Sequence, residues 1–192
     1  MASKTISGFP VPLSDRFDIF ETPLQGLCVI QRKPIRDERG YLERMFCTTA
    51  LATLLQGRSI RQINRTLTMR CGTVRGMHFQ NPPHAEMKFV SCLRGEVFDV
   101  AVDLRPDSPT RFQWHAEVLS SENVKTLAIP EGFAHGFQAL TDHCEMLYFH
   151  TEDYQRESEG GLNPLDPALG IAWPLAISDI SARDSAQPML KS

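Results

Sequence analysis

Between Lys88 and His150 the sequence leaves room for little except short strands. Residues 88–93, 97–104, 118–119, 126–129, 137–140 and 146–150 are brief runs rich in Val, Ile, Leu, Phe and Thr. Turn formers separate them: Arg94-Gly95, the Pro106 to Pro109 cluster, Ser121-Glu122-Asn123 and Pro130-Glu131-Gly132. The strongest run is 97–104, VFDVAVDL, dense in β-branched residues. A single helical pattern stands out, at 48–56 (TTALATLLQ), with Gly57 as its expected C-cap. This pattern predicts an all-β sandwich or barrel with few short helices. No repeat, low-complexity tract or linker divides residues 1–192, so one domain is expected. The tail from Ala176 onward carries no readable period.

In VFDVAVDL the side-chain period of two puts Asp99 and Asp103 on one face with Val97 and Ala101. Phe98, Val100, Val102 and Leu104 take the other. The ordinary expectation is that the apolar face meets the core and the aspartate face lies elsewhere. The competing reading is that one aspartate orients a catalytic group.

Bulk properties exclude several classes. A net charge of -3 gives no electrostatic case for nucleic acid. No apolar run reaches the roughly 20 residues of a membrane helix. Residues 1–12 hold one lysine and no long apolar stretch, which argues against a secretory leader. The five cysteines are scattered, odd in number and without a CxxC pair. They read as reduced thiols of a cytoplasmic protein.

Four features could carry chemistry. The first is 72–83, GTVRGMHFQNPP. On a regular strand Arg75 and His78 point to opposite faces, but a bulge at Gly76 would bring them together. A histidine in a barrel titrates near working pH and suits general-base duty. Taken alone it is more ordinarily a satisfied core residue. The second is 130–137, PEGFAHGF, whose P-x-G-x-x-H spacing resembles the second cupin motif, where the histidine binds metal. The His-x-His pair of the first cupin motif is missing, since Phe79 and Gln80 follow His78; His84 and Glu86 are the only stand-ins. No metal is therefore expected, and His135 is free to donate to a substrate oxygen. The third is a set of cations, Lys88, Arg75, Arg39 and Arg65, able to hold a diphosphate or an enolate oxygen. Each singly reads as a solvated charge. The fourth is Tyr148, either a proton donor or a core-lining aromatic. No Walker, GxGxxG or Gly-x-Ser-x-Gly stretch occurs.

Together these stretches resemble the dTDP-4-dehydrorhamnose 3,5-epimerase family over residues 26–190. The resemblance is carried by Asp37-Glu-Arg-Gly40, Gln62-Ile-Asn64, 72–80, Lys88-Phe-Val90, 95–105, 129–137, Tyr148, 171–174 and 181–184. It implies a cupin-type jelly roll that needs no cofactor and forms a homodimer by exchanging N-terminal strands. It implies a nucleotide-sugar substrate, with inversion at C3, C5 or both of a 4-keto-6-deoxyhexose. By the same resemblance His78 is the base, Asp184 its partner, Lys88 and His135 the enolate holders, and Tyr148 the acid. Arg75, Gln62 and Asn64 would line the sugar pocket, with Arg39 and Tyr154 near the nucleotide. Glu86 stands where the family often has an amide, and Ile35 where an aromatic often precedes Asp-x-Arg-Gly. The alternatives are a same-fold mono-epimerase or ketoisomerase on a CDP- or GDP-sugar, a metal-dependent cupin, and a non-catalytic sugar-binding module.

Overall fold

The computed structural model describes residues 15–190. The expectation placed on residues 1–12, that they form no secretory leader, lies outside the described residues. The described residues open with β1 (Phe17–Glu21), β2 (Cys28–Arg32), β3 (Ile35–Asp37) and β4 (Gly40–Leu42), then the helix α1 (Ala52–Leu55). The barrel strands follow: β5 (Gln62–Thr68), β6 (Thr73–Gln80), β7 (Lys88–Arg94), β8 (Glu96–Asp103), β9 (Trp114–Ser120) and β10 (Lys125–Ile129). The rest are β11 (Phe133–Ala139), β12 (Cys144–His150), β13 (Glu159–Gly161), β14 (Asp179–Ile180) and the helix α2 (Ala182–Ser185).

Two sheets face each other. One runs β1-β2-β10-β7-β12-β5 and the other β13-β6-β11-β8-β9, with β14 added alongside β6. The β3–β4 hairpin stands apart from both. The neighbours are rarely consecutive in sequence, which is how a jelly roll winds. The fold is thus the all-β, cupin-type jelly roll expected, and each of the six short runs of 88–150 falls in a strand except for Leu104 and Leu140, one residue past their strand ends. The expected helix shrinks to Ala52–Leu55, with residues 48–51 in turns. It ends on Gln56 in the left-handed conformation rather than on Gly57 alone. Its job is packing: Leu51 and Leu55 are buried against Phe89, Ile30 and Phe17.

Three apolar layers result. The inner one lies between the sheets, from Val90, Leu127 and Met146 on one side to Val97, Ala101, Phe133 and Phe137 on the other. The second covers the outer face of the first sheet with α1. The third covers the outer face of the second sheet, where Val100, Val102, Met77 and Ala134 meet Leu162, Leu169, Ile171, Trp173 and Leu190. That third layer overturns the ordinary expectation for VFDVAVDL. The C-terminal segment buries the Val100–Val102 face, so the Asp99–Asp103 face is free to point inward, and both aspartates are fully buried. Asp103 is consumed structurally: it accepts from Arg105, Ser108 and Thr110 and ties down the loop after β8. These donors outweigh the effect of burial and hold its carboxyl far below the usual range. Asp99 instead meets a histidine. Among the described residues no helix is long and apolar enough to cross a membrane.

Candidate active site

One end of the barrel opens into a pocket of about 480 Å³. Its walls include Asn64, Arg75, His78, Lys88, His135, Tyr148, Tyr154 and Asp184. Gln62 lies just behind the wall, where its amide reaches Asn64 and the Tyr154 backbone. Arg39 is elsewhere. It sits on the exposed β3–β4 hairpin, paired with Asp37, beside Ile35, Tyr41 and Leu42. Arg65 is also outside the pocket, exposed and paired with Glu145.

A bulge brings Arg75 and His78 to one side. His78 pairs with His135 and Arg75 with Phe137, so three steps on β6 oppose two on β11. The extra residue reverses the alternation that would otherwise part them. Gly76 makes this possible. Its φ is +118°, and a Cβ there would sit 2.6 Å from Gly136 Cα.

His78 Nε2 lies 2.8 Å from Asp184 Oδ1. The other carboxylate oxygen, Oδ2, accepts the buried Gly76 N–H at 3.1 Å. Asp184 is delivered by the short helix α2, whose Ser181 N-cap accepts the Asp184 N–H. Burial pushes the Asp184 carboxyl up, but the bonds from His78 and Gly76 outweigh it and hold the group below its ordinary value. An ionised Asp184 receives the Nε2–H, which leaves His78 Nδ1 as the basic atom of a half-exposed ring.

His135 repeats the arrangement deeper in. Its Nε2 is 2.9 Å from Asp99 Oδ1, and both residues are buried. Burial pushes the Asp99 carboxyl up despite the histidine. Of the two aspartates of β8, Asp99 is the one in contact with a pocket histidine, whereas Asp103 bonds to its own loop. Tyr148 stands edge-on to His135, ring centres 6.1 Å apart. Burial pushes the Tyr148 phenol well above its usual range, so it stays protonated at neutral pH.

Lys88 is buried, with Nζ 3.1 Å from Glu86 Oε1 and 3.3 Å from the His78 carbonyl. Glu86 also takes His150 Nδ1 at 2.6 Å. Burial raises the Glu86 carboxyl, but His150 and Lys88 together bring it below its ordinary value. The sequence offered only a weak cue to this cluster, the acid at 86; nothing singled out His150. Glu159 and Arg183 were also missed. They form an ion pair at the rim, where Glu159 further accepts the Tyr154 hydroxyl. Among the described residues no group of three or more His, Cys, Asp or Glu side chains is placed to hold a metal. His78 and His135 are each engaged by their own carboxylate.

The arrangement can move protons. It has a half-exposed imidazole paired with a carboxylate, a buried phenol that remains protonated, and a buried lysine, all lining one pocket.

Comparison with known proteins places the chain. The family model for dTDP-4-dehydrorhamnose 3,5-epimerase matches residues 21–192. The enzyme of that name from Salmonella typhimurium is 40% identical over 175 residues, covering 90% of this chain and 94% of its own. The crystal structure of the Bacillus anthracis enzyme with TDP and pyrophosphate bound is similar at a TM-score of 0.87 and 34% identity. It covers 91% of this chain and 99% of that one. The Legionella pneumophila enzyme in complex with dTDP-4-keto-L-rhamnose is similar at 0.85 and 39%, covering 90% and 92%.

Proposed function

Because the chain belongs to the dTDP-4-dehydrorhamnose 3,5-epimerase family, we propose that it is an isomerase that inverts C3 and C5 of a dTDP-linked 4-keto-6-deoxyhexose. The observation that carries the reading is the His78–Asp184 pair facing Tyr148 and Lys88 across one pocket. A ketone acidifies the carbons beside it, so inversion needs a base, an acid on the other face and a site for the oxyanion.

His78 Nδ1 takes the proton from the carbon next to the C4 ketone. The C–H electron pair moves into the C–C bond and the carbonyl pair moves onto oxygen, forming an enolate. Lys88 faces that oxygen. An ammonium has three donors; Glu86 and the His78 carbonyl engage two, and the third is left for the substrate. His135 adds a donor when its pair with Asp99 holds one extra proton. That proton can rest on either partner, and both distributions leave hydrogen on His135 Nδ1. Tyr148 then returns a proton from the opposite face as the ketone re-forms. Solvent restores the phenol and strips the imidazolium. Arg75 and Arg183, at the pocket wall, supply positive charge for the diphosphate.

The homodimer is part of this proposal. The hairpin exposes Ile35, Tyr41 and Leu42, and the edge strand β5 exposes Ile63 and Leu67, with Met69 just beyond it. An apolar hairpin and an apolar sheet edge are both costly in water and complementary to a second copy. Arg39, stranded on the hairpin here, would reach a nucleotide only across such an interface.

The test is proton exchange in deuterated water with dTDP-, CDP- and GDP-linked 4-keto sugars, followed at C3 and C5. The parent should exchange both protons of the dTDP sugar and release inverted product, and His78→Asn should exchange neither. Exchange by His78→Asn at the parental rate would remove His78 as the base. Binding with no exchange by the parent would favour the sugar-binding module instead.

A further inference from the structure

We propose that Lys88 is positioned by a one-way hydrogen-bond relay that starts at the Tyr154 backbone N–H and runs through Gln62, Asn64, His150 and Glu86.

The direction of the relay follows from its first member. A backbone N–H can only donate, and that of Tyr154 meets Gln62 Oε1 at 3.1 Å. Gln62 must then present its NH₂ to Asn64, and Nε2 lies 3.1 Å from Asn64 Oδ1. Asn64 must in turn present its own NH₂, and Nδ2 lies 3.4 Å from His150 Nε2. That nitrogen has to accept, so the hydrogen of a neutral ring goes to Nδ1. There it donates to Glu86 Oε2 at 2.6 Å. The remaining oxygen, Oε1, takes Lys88 Nζ at 3.1 Å. Every amide orientation and one histidine tautomer are set by a single peptide group at the pocket mouth.

Strand register explains why these residues meet. Gln62, His150 and Lys88 form one cross-strand row of β5, β12 and β7. Asn64 and Tyr148 belong to the next row on the same face. The His150 ring also stacks on Tyr148, centres 6.0 Å apart and planes 20° apart. One imidazole therefore touches the proposed acid by its face and the partner of Lys88 by its edge. Glu86 and His150 are positioning residues: they act through Lys88 and Tyr148. A protonated His150 would turn Nε2 into a donor facing the Asn64 donor, so the relay is intact only with the neutral ring.

The inference rests on the epimerase reading for what Lys88 does, but the tautomer can be measured without it. The experiment uses the full chain with ¹⁵N-labelled histidine, and His150→Gln identifies the His150 signals. At neutral pH the parent should show an unprotonated Nε2 and a proton-bearing Nδ1. Glutamine at 150 can accept from Asn64 and donate to Glu86, so His150→Gln should keep kcat within about threefold of the parent. His150→Phe keeps the stacking but breaks the relay, and Glu86→Gln cannot accept from both donors; each should lower kcat about tenfold while KM stays within about threefold, as expected for loss of one charge-assisted contact. A proton on Nε2 in the parent would overturn the relay, and so would equal kcat for His150→Phe and His150→Gln. If a variant fails to fold by thermal melting, the parental tautomer alone decides. If the parent does not turn over the sugar nucleotide, the epimerase reading falls while the tautomer result still stands.

Discussion

Replacing Asp184 with asparagine should disable the base more thoroughly than deleting the side chain. Asp184 Oδ2 accepts the Gly76 N–H, a donor with no other role, in a buried setting. In Asp184→Asn the amide oxygen must stay on that N–H, because the NH₂ group would meet it donor to donor. The NH₂ then faces His78 Nε2, 2.8 Å away in the parent, and Nε2 must accept. The ring hydrogen moves to Nδ1, the atom that should take the substrate proton. General-base catalysis contributes about 10² to 10⁴ in rate, which is about 3 to 5 kcal/mol of barrier at 1.36 kcal/mol per decade. We expect Asp184→Asn to lose that amount in kcat, with KM changed little. Asp184→Ala strands the Gly76 N–H and should melt at a lower temperature, yet it leaves His78 free to sample the useful tautomer. Its kcat should therefore lie above that of Asp184→Asn. The assay is single-turnover conversion alongside exchange from deuterated water. A kcat for Asp184→Asn within tenfold of the parent, or below which Asp184→Ala falls, would refute the tautomer argument.

Other outcomes follow from the same geometry. Tyr148→Phe should cut net inversion by about a hundredfold while proton exchange falls less than about tenfold, read by comparing product stereochemistry with deuterium uptake. Equal losses would count against Tyr148 as the acid. Gly76→Ala should cost about 2–4 kcal/mol in urea unfolding, because the new Cβ meets backbone rather than a movable side chain and φ is unsuited to it. Acid should weaken the fold through Asp184 and Glu86. Both carboxyls lie below their ordinary values in the native state, so the stability they contribute is present above the unfolded-state pKa and is lost as pH falls through the native one. Urea midpoints should drop between about pH 5 and pH 3, and Asp184→Asn should show a shallower drop. An unchanged slope would mean that the His78 pair contributes nothing to stability.

Much of the architecture was legible because its signals are local. Alternating apolar residues and turn formers mark β7 to β12 wherever the chain goes, and their boundaries moved by a few residues at most at β7, β8 and β10. The helix at 48–56 was overstated because leucine and alanine spacing cannot tell a full helix from a turn that packs one leucine pair. Gly76 was readable as a bulge because glycine before His78 has few other uses. Whether Arg75 and His78 shared a side still waited on β11, since a bulge is defined by the partner strand.

The sequence by itself determined an all-β barrel, a histidine and a lysine on consecutive strands, β6 and β7, and a tyrosine on a later one, β12. The family resemblance already paired Asp184 with His78; the tertiary structure decided that Asp99 meets His135 and Glu86 meets His150. His78 and Asp184 are 106 residues apart, His135 and Asp99 are 36 apart, and His150 and Glu86 are 64 apart. No local pattern encodes such pairings, because each depends on strand register and on the loops that close between them. The inward turn of Asp99 is the clearest case. Alternation alone said that one face of VFDVAVDL would be apolar and buried. Only the C-terminal segment, packed over Val100 and Val102, released the aspartate face to the barrel interior, where Asp99 is buried against His135.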